Sequence, residues 1–411
     1  MSQNGVVGFD ICRACSSKDL FSGIDLGELP IANELFLEPA KYELFPLNLK
    51  ICSNCGLGQV RDAISSNRLF RNYRYLSSIS STFLCHAKKY AEEVLEHLDW
   101  RRDDWILEIA SNDGYLLKNF VEHGKTVLGI EPAINIAQIA RSAGIPTINE
   151  FFSSKIAKQL LVEYGYPRLI IANNVLAHVP DIQDFTEGLS ILMNERTYTS
   201  IENPSIMNLP NSMQFDSIYH EHYSYLSATA VSKLMNRFGL FLSHVERIET
   251  HGGSNRYWIS KNQGEESSTV ANIIESELSS GLLNESIWQD FAFKVRVLIH
   301  EFHLFIEEMS SHDQIIAGYG AAAKASTLIN AARIGPNKIT YIVDESPEKV
   351  GRFMPAPMIP IVGSEHLSKV PPNHIVIFPW NITSEIRTKI RHHCGSRVQI
   401  WRAIPKLEEI I

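Results

Sequence analysis

The chain has 411 residues, is 45% hydrophobic and carries a formal charge of -8, the composition of an ordinary folded chain of two or three domains. The acidic balance argues against a general nucleic-acid binder, and no stretch has the uninterrupted apolar length of a membrane span. Met1-Ser2-Gln3-Asn4-Gly5 lacks the basic-then-apolar form of a signal peptide, so a cytoplasmic chain is the expectation.

Four of the cysteines form two knuckles, Cys12-Arg13-Ala14-Cys15 and Cys52-Ser53-Asn54-Cys55. Each C-x2-C turn offers two thiolates, and four close a tetrahedron around zinc. With every position filled by sulfur no place remains for water, so the metal is structural. The first sixty or so residues carry little core of their own, which a metal offsets. Cys85 and Cys394 stand alone and read as buried small hydrophobes. In Leu69–Ser78, Tyr73 and Tyr75 share a face if extended, as packing between domains or as a ligand contact.

The pattern is helical from Thr82 to about Leu98. The apolar run Trp105–Ala110 ends in the polar turn Ser111-Asn112-Asp113-Gly114, and a helix starts over Tyr115–Lys118. A second run, Thr126–Ile130, ends at Glu131, and a third, Arg168–Ala172, ends at Asn173-Asn174. Strand, turn, helix, strand, acid is a doubly wound nucleotide-binding pattern, with Glu131 placed for ribose hydroxyls. The first turn is not G-x-G-x-x-G and holds acids, Glu108 and Asp113, that would repel a pyrophosphate. S-adenosylmethionine has no phosphate and carries a sulfonium and an ammonium, so charge favours it over a nicotinamide dinucleotide.

Helix follows over Ile182 to about Met193, then a strand ending at Ile201-Glu202-Asn203-Pro204. The run Tyr219-His220-Glu221-His222-Tyr223-Ser224-Tyr225 next concentrates proton-handling groups. In an extended segment His220 and His222 would share a face, while a turn would relax that constraint. Helix is expected over Ser232–Phe238, strand over His244–Ile248, and a glycine turn at His251–Arg256, structural or anion-binding, before the strand Tyr257–Ser260. Residues from about Thr269 to His312 read as a long, polar helical stretch, a connector that also closes a domain. A second strand-turn-helix begins at Gln314–Gly320, with strands at Ile339–Val343 and His374–Phe378. Small residues and Lys324 in its turn suit either a cofactor or the diphosphate of a substrate.

In this order the parts resemble the sugar C-methyltransferases that act on nucleotide-linked 4-keto-6-deoxyhexoses, commonly at C3. The resemblance rests on the paired cysteines, Glu108-Ile-Ala-Ser-Asn-Asp-Gly114, Asn174-Val-Leu-Ala-His178-Val-Pro-Asp181, Tyr219-His-Glu-His222, His251-Gly-Gly-Ser254 and Tyr319-Gly-Ala-Ala-Ala-Lys324. It implies an α/β chain in three parts: a zinc-binding domain at 1–66, a class I methyltransferase domain at 67–268, and a helical connector with a C-terminal Rossmann-like domain at 269–411. It implies His222 as general base, supported by Glu221 and Tyr219, with Tyr75 at the sugar. Cofactor contacts fall to Glu108, Ala110, Asn112, Asp113, Gly114, Glu131, Pro132, Asn173, Asn174 and His178. Substrate contacts fall to Tyr73, Asn203, His220, Gly320, Ala321, Lys324, Asn330 and Arg352. Zinc ligands are Cys12, Cys15, Cys52 and Cys55. The chain departs from the family at Ala325 and at Pro355-Ala356, where glycines are usual, so dTDP and GDP both stay open. A monomer or weak dimer acting on no nucleic acid or membrane is expected. An O- or N-methyltransferase, a zinc-containing RNA-binding module and a nicotinamide dehydrogenase are the competing readings.

Overall fold

The computed structural model describes residues 6–71, 76–312 and 314–411. Its centre is a seven-stranded sheet in the order Phe241–Ile248, Ser254–Ser260, Tyr198–Pro204, Leu169–Asn173, Trp105–Ile109, Thr126–Ile130 and Thr147–Ile148. The last five run parallel, and Ser254–Ser260 runs antiparallel to both of its neighbours. The Trp105 strand is buried at every position, as a parallel strand covered on both faces requires. Chain order reverses between it and the Leu169 strand, so a ligand crevice opens beyond their carboxyl ends.

The N-terminal sheet is antiparallel, in the order Ser224–Tyr225, Gly58–Val60, Phe45–Cys52, Leu20–Leu29. Its edge strand comes from the histidine run: Ser224 pairs with Gln59 and Tyr225 with Gly58. A C-terminal sheet, Ile361–Val362, Tyr341–Val343, Ile316–Tyr319, His374–Ile377 and Gln399–Arg402, is parallel, with Glu408–Glu409 added antiparallel. Among the described residues, no helix is long and apolar enough to cross a membrane.

Several expectations need correction. The stretch from Thr269 to His312 is two helices, Ser268–Ser279 and Glu285–Ser310. Gly281, at φ 86°, breaks the run, and the Asn284 side chain caps the second helix by accepting from Ser286 N. That second helix also closes the N-terminal sheet. It packs on the Leu20–Leu29 strand, and Trp288, Phe291, Val295 and Phe302 join Ile24, Leu29 and Leu49 in one apolar cluster. The expected Ser232 helix starts earlier, at Ala228, because Ser227 Oγ accepts from Ala230 N. Cys85 is exposed on the helix Ser81–His97 rather than buried.

Gly129 lies in the Thr126 strand where an added Cβ would stand 2.3 Å from Ser111 Oγ. Gly129→Ala is therefore expected to cost about 1–3 kcal/mol through overpacking, read as a lower urea midpoint. An unchanged midpoint would mean that the Ser111 turn yields without cost.

Candidate active site and metal centre

The two knuckles fold alike. Ser16 N donates to Cys12 O at 2.9 Å and Gly56 N to Cys52 O at 2.8 Å, and Ser16 and Gly56 both adopt positive φ. The four sulfurs lie within 4.8 Å of one another. Cys12 and Cys55 Sγ stand 3.5 Å apart and Cys15 and Cys52 Sγ 3.6 Å. Zinc–thiolate bonds of about 2.3 Å in a tetrahedron put sulfurs about 3.8 Å apart, so the cluster fits the ion. Hydrogen bonds from Cys12 and Cys55 hold the Cys52 thiol low, while contact with its sulfur neighbours and burial hold Cys12 and Cys55 high. A divalent cation removes that conflict by taking all four as thiolates.

The turn after the Trp105 strand reverses through left-handed residues: Ala110, Asn112 and Gly114 have φ of 53°, 51° and 79°. Glu131 accepts from Asn112 N and Ala133 N, both at 2.9 Å. Each oxygen keeps a second lone pair, so the carboxylate can shape the turn and also accept from a ribose. Burial first, then Asp113, push Glu131 up to about 7 against the two amide bonds. Glu108 is pushed well above the usual range by burial, then by Asp113 and Glu131. Glu108 Oε2, Asp113 Oδ1 and Ser111 Oγ are buried without a partner. Three acids and unsatisfied acceptors around one turn fit a cationic ligand. Asn112 Oδ1 and Asp113 Oδ2 also accept from Ser77 N and Ser78 N at 3.0 and 3.2 Å. That fastens the cofactor turn to the segment just after Tyr73 and Tyr75, which themselves lie outside the described residues.

The histidine run is a turn, not an extended segment: His222 N donates to Tyr219 O at 2.9 Å. His222 Nδ1 donates to Ser217 O at 2.9 Å, and because a carbonyl only accepts, the neutral ring carries its lone pair on Nε2. Tyr219 Oη lies 2.8 Å from that Nε2. The turn sends the other members elsewhere. His220 is buried, with Nε2 3.2 Å from Phe45 O, so the face it would share with His222 in an extended segment does not form. Glu221 Oε1 accepts from Asn33 N at 3.1 Å and Asn33 Nδ2 at 3.0 Å, and burial raises its carboxyl.

His178, which the motif reading assigned to the cofactor, donates from Nδ1 to Glu221 O at 2.7 Å. Its ring centroid is 4.7 Å from that of His222. Burial lowers it to about 4, so it is neutral at physiological pH. Asn203 is buried, and neither its Oδ1 nor its Nδ2 has a partner among the described residues. Asn173 Oδ1 is also unpartnered, Asn174 takes φ 55°, and Pro132 continues the chain between the two amides that Glu131 organises.

The C-terminal turn meets the histidine run directly. Thr327 Oγ1 donates to Ile218 O at 3.2 Å. Lys324 Nζ lies 3.9 Å from the Trp380 ring centroid, and Trp380 Nε1 donates to Asp216 Oδ2 at 2.8 Å. Burial lowers Lys324 and raises Asp216 to about 6. Gly320 has φ 92°, and Ala321 N donates to Asp344 Oδ2 at 2.8 Å. Asn330 Nδ2 braces Ser326 O at 2.8 Å, and Arg352 Nε donates to Glu348 O at 2.7 Å. No described contact brings Arg352 to Lys324. Arg256 meets carboxylates rather than a free anion: Glu246 at 3.2 Å and Glu202 at 3.3 Å. Glu202 also takes His86 Nε2 at 3.0 Å and Thr250 Oγ1 at 2.9 Å. Burial opposes its ionisation, yet these partners hold it below the usual carboxylate range. The motifs gave no signal for Asp216, Trp380, Asn33 or His86, whose importance comes only from distant contacts.

Three family models match in chain order: a putative zinc binding domain over residues 12–70, a methyltransferase domain over 81–245 and a C-methyltransferase C-terminal domain over 249–405. C-methyltransferase NovU of Streptomyces niveus is 29% identical over 392 residues, 93% of either chain. The chain belongs to the S-adenosylmethionine-dependent C-methyltransferase family that its sequence resembles. Among solved structures, the chain is similar to magnesium protoporphyrin IX methyltransferase of Synechocystis PCC 6803 with bound S-adenosylmethionine. That match has 11% identity over 44% of this chain and 79% of that one, with TM-score 0.32. A methyltransferase from Anabaena variabilis ATCC 29413 matches at 12% over 43% and 84%, with TM-score 0.34. By its three family models, its sheet order and its four-cysteine cluster, the C-methyltransferase has a zinc-binding domain, a class I methyltransferase domain and a C-terminal α/β domain, and uses S-adenosylmethionine and a structural zinc.

Two outcomes follow for its ligands. The purified C-methyltransferase should hold about one zinc per chain, and Cys12→Ser should lower both metal content and melting temperature. Metal analysis finding none in folded protein would contradict the cluster's role. Glu131, protonated below about 7, must lose its proton to attract a cation. Affinity for S-adenosylmethionine should therefore rise as pH goes from 6 to 8, by up to about tenfold per unit below the group's pKa. Calorimetry should show a shallower rise for Glu131→Gln and for S-adenosylhomocysteine, which lacks the sulfonium. Equal slopes would remove Glu131 from the cation's field.

Proposed function

We propose that the enzyme methylates C3 of a dTDP- or GDP-linked 4-keto-6-deoxy sugar through an enolate, as a step toward a branched deoxysugar. The observation that carries this reading is the fixed tautomer of His222, which leaves Nε2 as a base beside the Tyr219 hydroxyl. A proton on carbon next to a ketone is weakly acidic, so its removal needs a placed base and stabilisation of the enolate oxygen. His222 Nε2 takes the C3 proton. The Tyr219 hydroxyl, which faces Nε2 without substrate, turns its hydrogen to the C4 oxygen as charge develops there. Ser217 O then holds the imidazolium through Nδ1–H. Glu221 contributes by fixing the turn to Asn33. Bound S-adenosylmethionine supplies an electrophilic methyl on its sulfonium. On the nucleotide side, Thr327, on the helix that Lys324 opens, donates to Ile218 O, so a diphosphate at Lys324 would leave its sugar on the side of the histidine run. Asn203 gives the sugar an unpaired donor and acceptor.

Incubation with S-adenosylmethionine and a panel of dTDP- and GDP-linked 4-keto sugars should give a methyl mass gain. His222→Asn keeps a donor for Ser217 O and is expected to bind both ligands yet lose activity by about two orders of magnitude or more. It should also slow exchange of the C3 proton with deuterated water in the presence of S-adenosylhomocysteine. Methylation without any C3 exchange in the unmodified enzyme would point to an oxygen or nitrogen acceptor instead. Exchange that survives in the variant would move the base to another residue.

A further inference from the structure

We propose that Arg13, inside the first zinc knuckle, is a positioning residue for proton transfer, holding the loop that carries His178 against the loop that carries His222. This rests on the assignment of His222 as base. The side chain lies between ligands Cys12 and Cys15 yet points out of the knuckle into the methyltransferase domain. It is 6% exposed. Nη1 donates to Val179 O at 3.1 Å and to Pro180 O at 2.9 Å, the two residues after His178. Nη2 donates to Tyr223 O and, at 2.8 Å, to Ser224 Oγ, the two residues after His222.

These four acceptors lie on two segments about forty positions apart, which the bond from His178 Nδ1 to Glu221 O and the Phe70 ring, edge-on to both His178 and Tyr223, also bring together. A single hydrogen bond sets a distance but little direction. The guanidinium adds a second fixed point, and a planar fork sets direction as well as distance. Together the two points define the 4.7 Å separation and 58° tilt of the histidine rings.

The anchor itself is held on its own side. Arg13 N donates to Gln59 Oε1 at 2.9 Å, Gln183 Nε2 donates to Arg13 O at 2.8 Å, and Arg237 Nη1 donates to Ala14 O. Gln59 is also the residue that pairs with Ser224 across the sheet edge. Arg13 therefore reads the position of the knuckle and writes it onto both histidine loops.

The test compares Arg13→Lys with the exposed control Arg61→Lys in zinc-replete, full-length protein. Lysine keeps the charge but offers a point rather than a fork. The expected result is that Arg13→Lys keeps its zinc, and its affinity for S-adenosylhomocysteine stays within about twofold. Its kcat falls about ten- to a hundredfold, the scale of a small misplacement of reacting groups. In 15N-detected spectra of the histidine rings, the His178 and His222 signals move, while Arg61→Lys moves neither. Wild-type kcat in zinc-loaded Arg13→Lys overturns the proposal, as does a loss of kcat with both ring signals unmoved. If Arg13→Lys does not fold, Ser224→Ala removes one partner of the guanidinium without touching the knuckle. It must then shift both ring signals and lower kcat, and failure to do so overturns the proposal. His222→Asn run in parallel separates the two levels. If exchange survives there, the base assignment falls, whereas loss there with an unaffected Arg13→Lys removes the positioning role alone.

Discussion

A two-residue ladder joins the metal centre to the chemistry. Ser224 and Tyr225 complete the edge of the zinc-domain sheet beside Gln59 and Gly58, and Val60 N donates to Tyr223 O at 3.1 Å. An edge strand presents unpaired amides and carbonyls that must be paired or covered. Here the chain covers that edge with the residues that leave the histidine turn. The turn is thereby pinned on its exit side. On its entry side Ser217 O collects His222 Nδ1 at 2.9 Å, with Tyr225 Oη at 3.4 Å. Gly58 permits the approach, since an added Cβ would meet Ile206 Cδ1 at 2.6 Å. Metal site, sheet and His222 turn thus form one mechanical unit whose register is set by backbone pairing.

Electrostatics divides the crevice into two halves. Around the cofactor turn, Glu108, Asp113 and Glu131 crowd three carboxyl groups with no cationic partner among the described residues, and burial raises Glu108 and Glu131. Around the C-terminal turn, Lys324 provides a positive group whose charge is partly answered by Asp216 and the Trp380 face. A sulfonium and a diphosphate carry opposite charges, so on the proposed reading each half would favour one ligand and disfavour the other. The glycine turn packs against the second of these halves. A Cβ at Gly252 would stand 2.3 Å from the Trp380 ring, and Gln214 Nε2 donates to Gly252 O at 2.9 Å.

Legibility in the sequence followed the range of the interaction. The knuckles could be read because metal geometry imposes a local spacing, and the Glu108–Gly114 turn because strand, turn and acid follow within one unit. The helix break at Gly281 was visible in principle, since glycine and asparagine there carry the stop and start signals, but the apolar spacing on either side masked it. Other features had no local signature. The Ser224–Tyr225 strand is too short for any periodicity. Arg13 reaches acceptors 166 to 211 positions away, and Asn33 reaches Glu221 across 188. His178 was read within its own motif, whereas its neighbour in space is His222.

The helix Glu285–Ser310 has a consequence for how the chain comes to be folded at all. Its apolar face covers the Leu20–Leu29 strand, which leaves the ribosome about 260 residues earlier. At about 5–20 residues per second, that strand waits on the order of ten to fifty seconds for its cover. Through that interval Ile24, Leu29 and Leu49 are without the side chains that finally bury them. Zinc is available to the nascent segment as soon as Cys55 emerges. Its tetrahedral closure ties the Leu20 and Phe45 strands together while the rest of the chain is still being made.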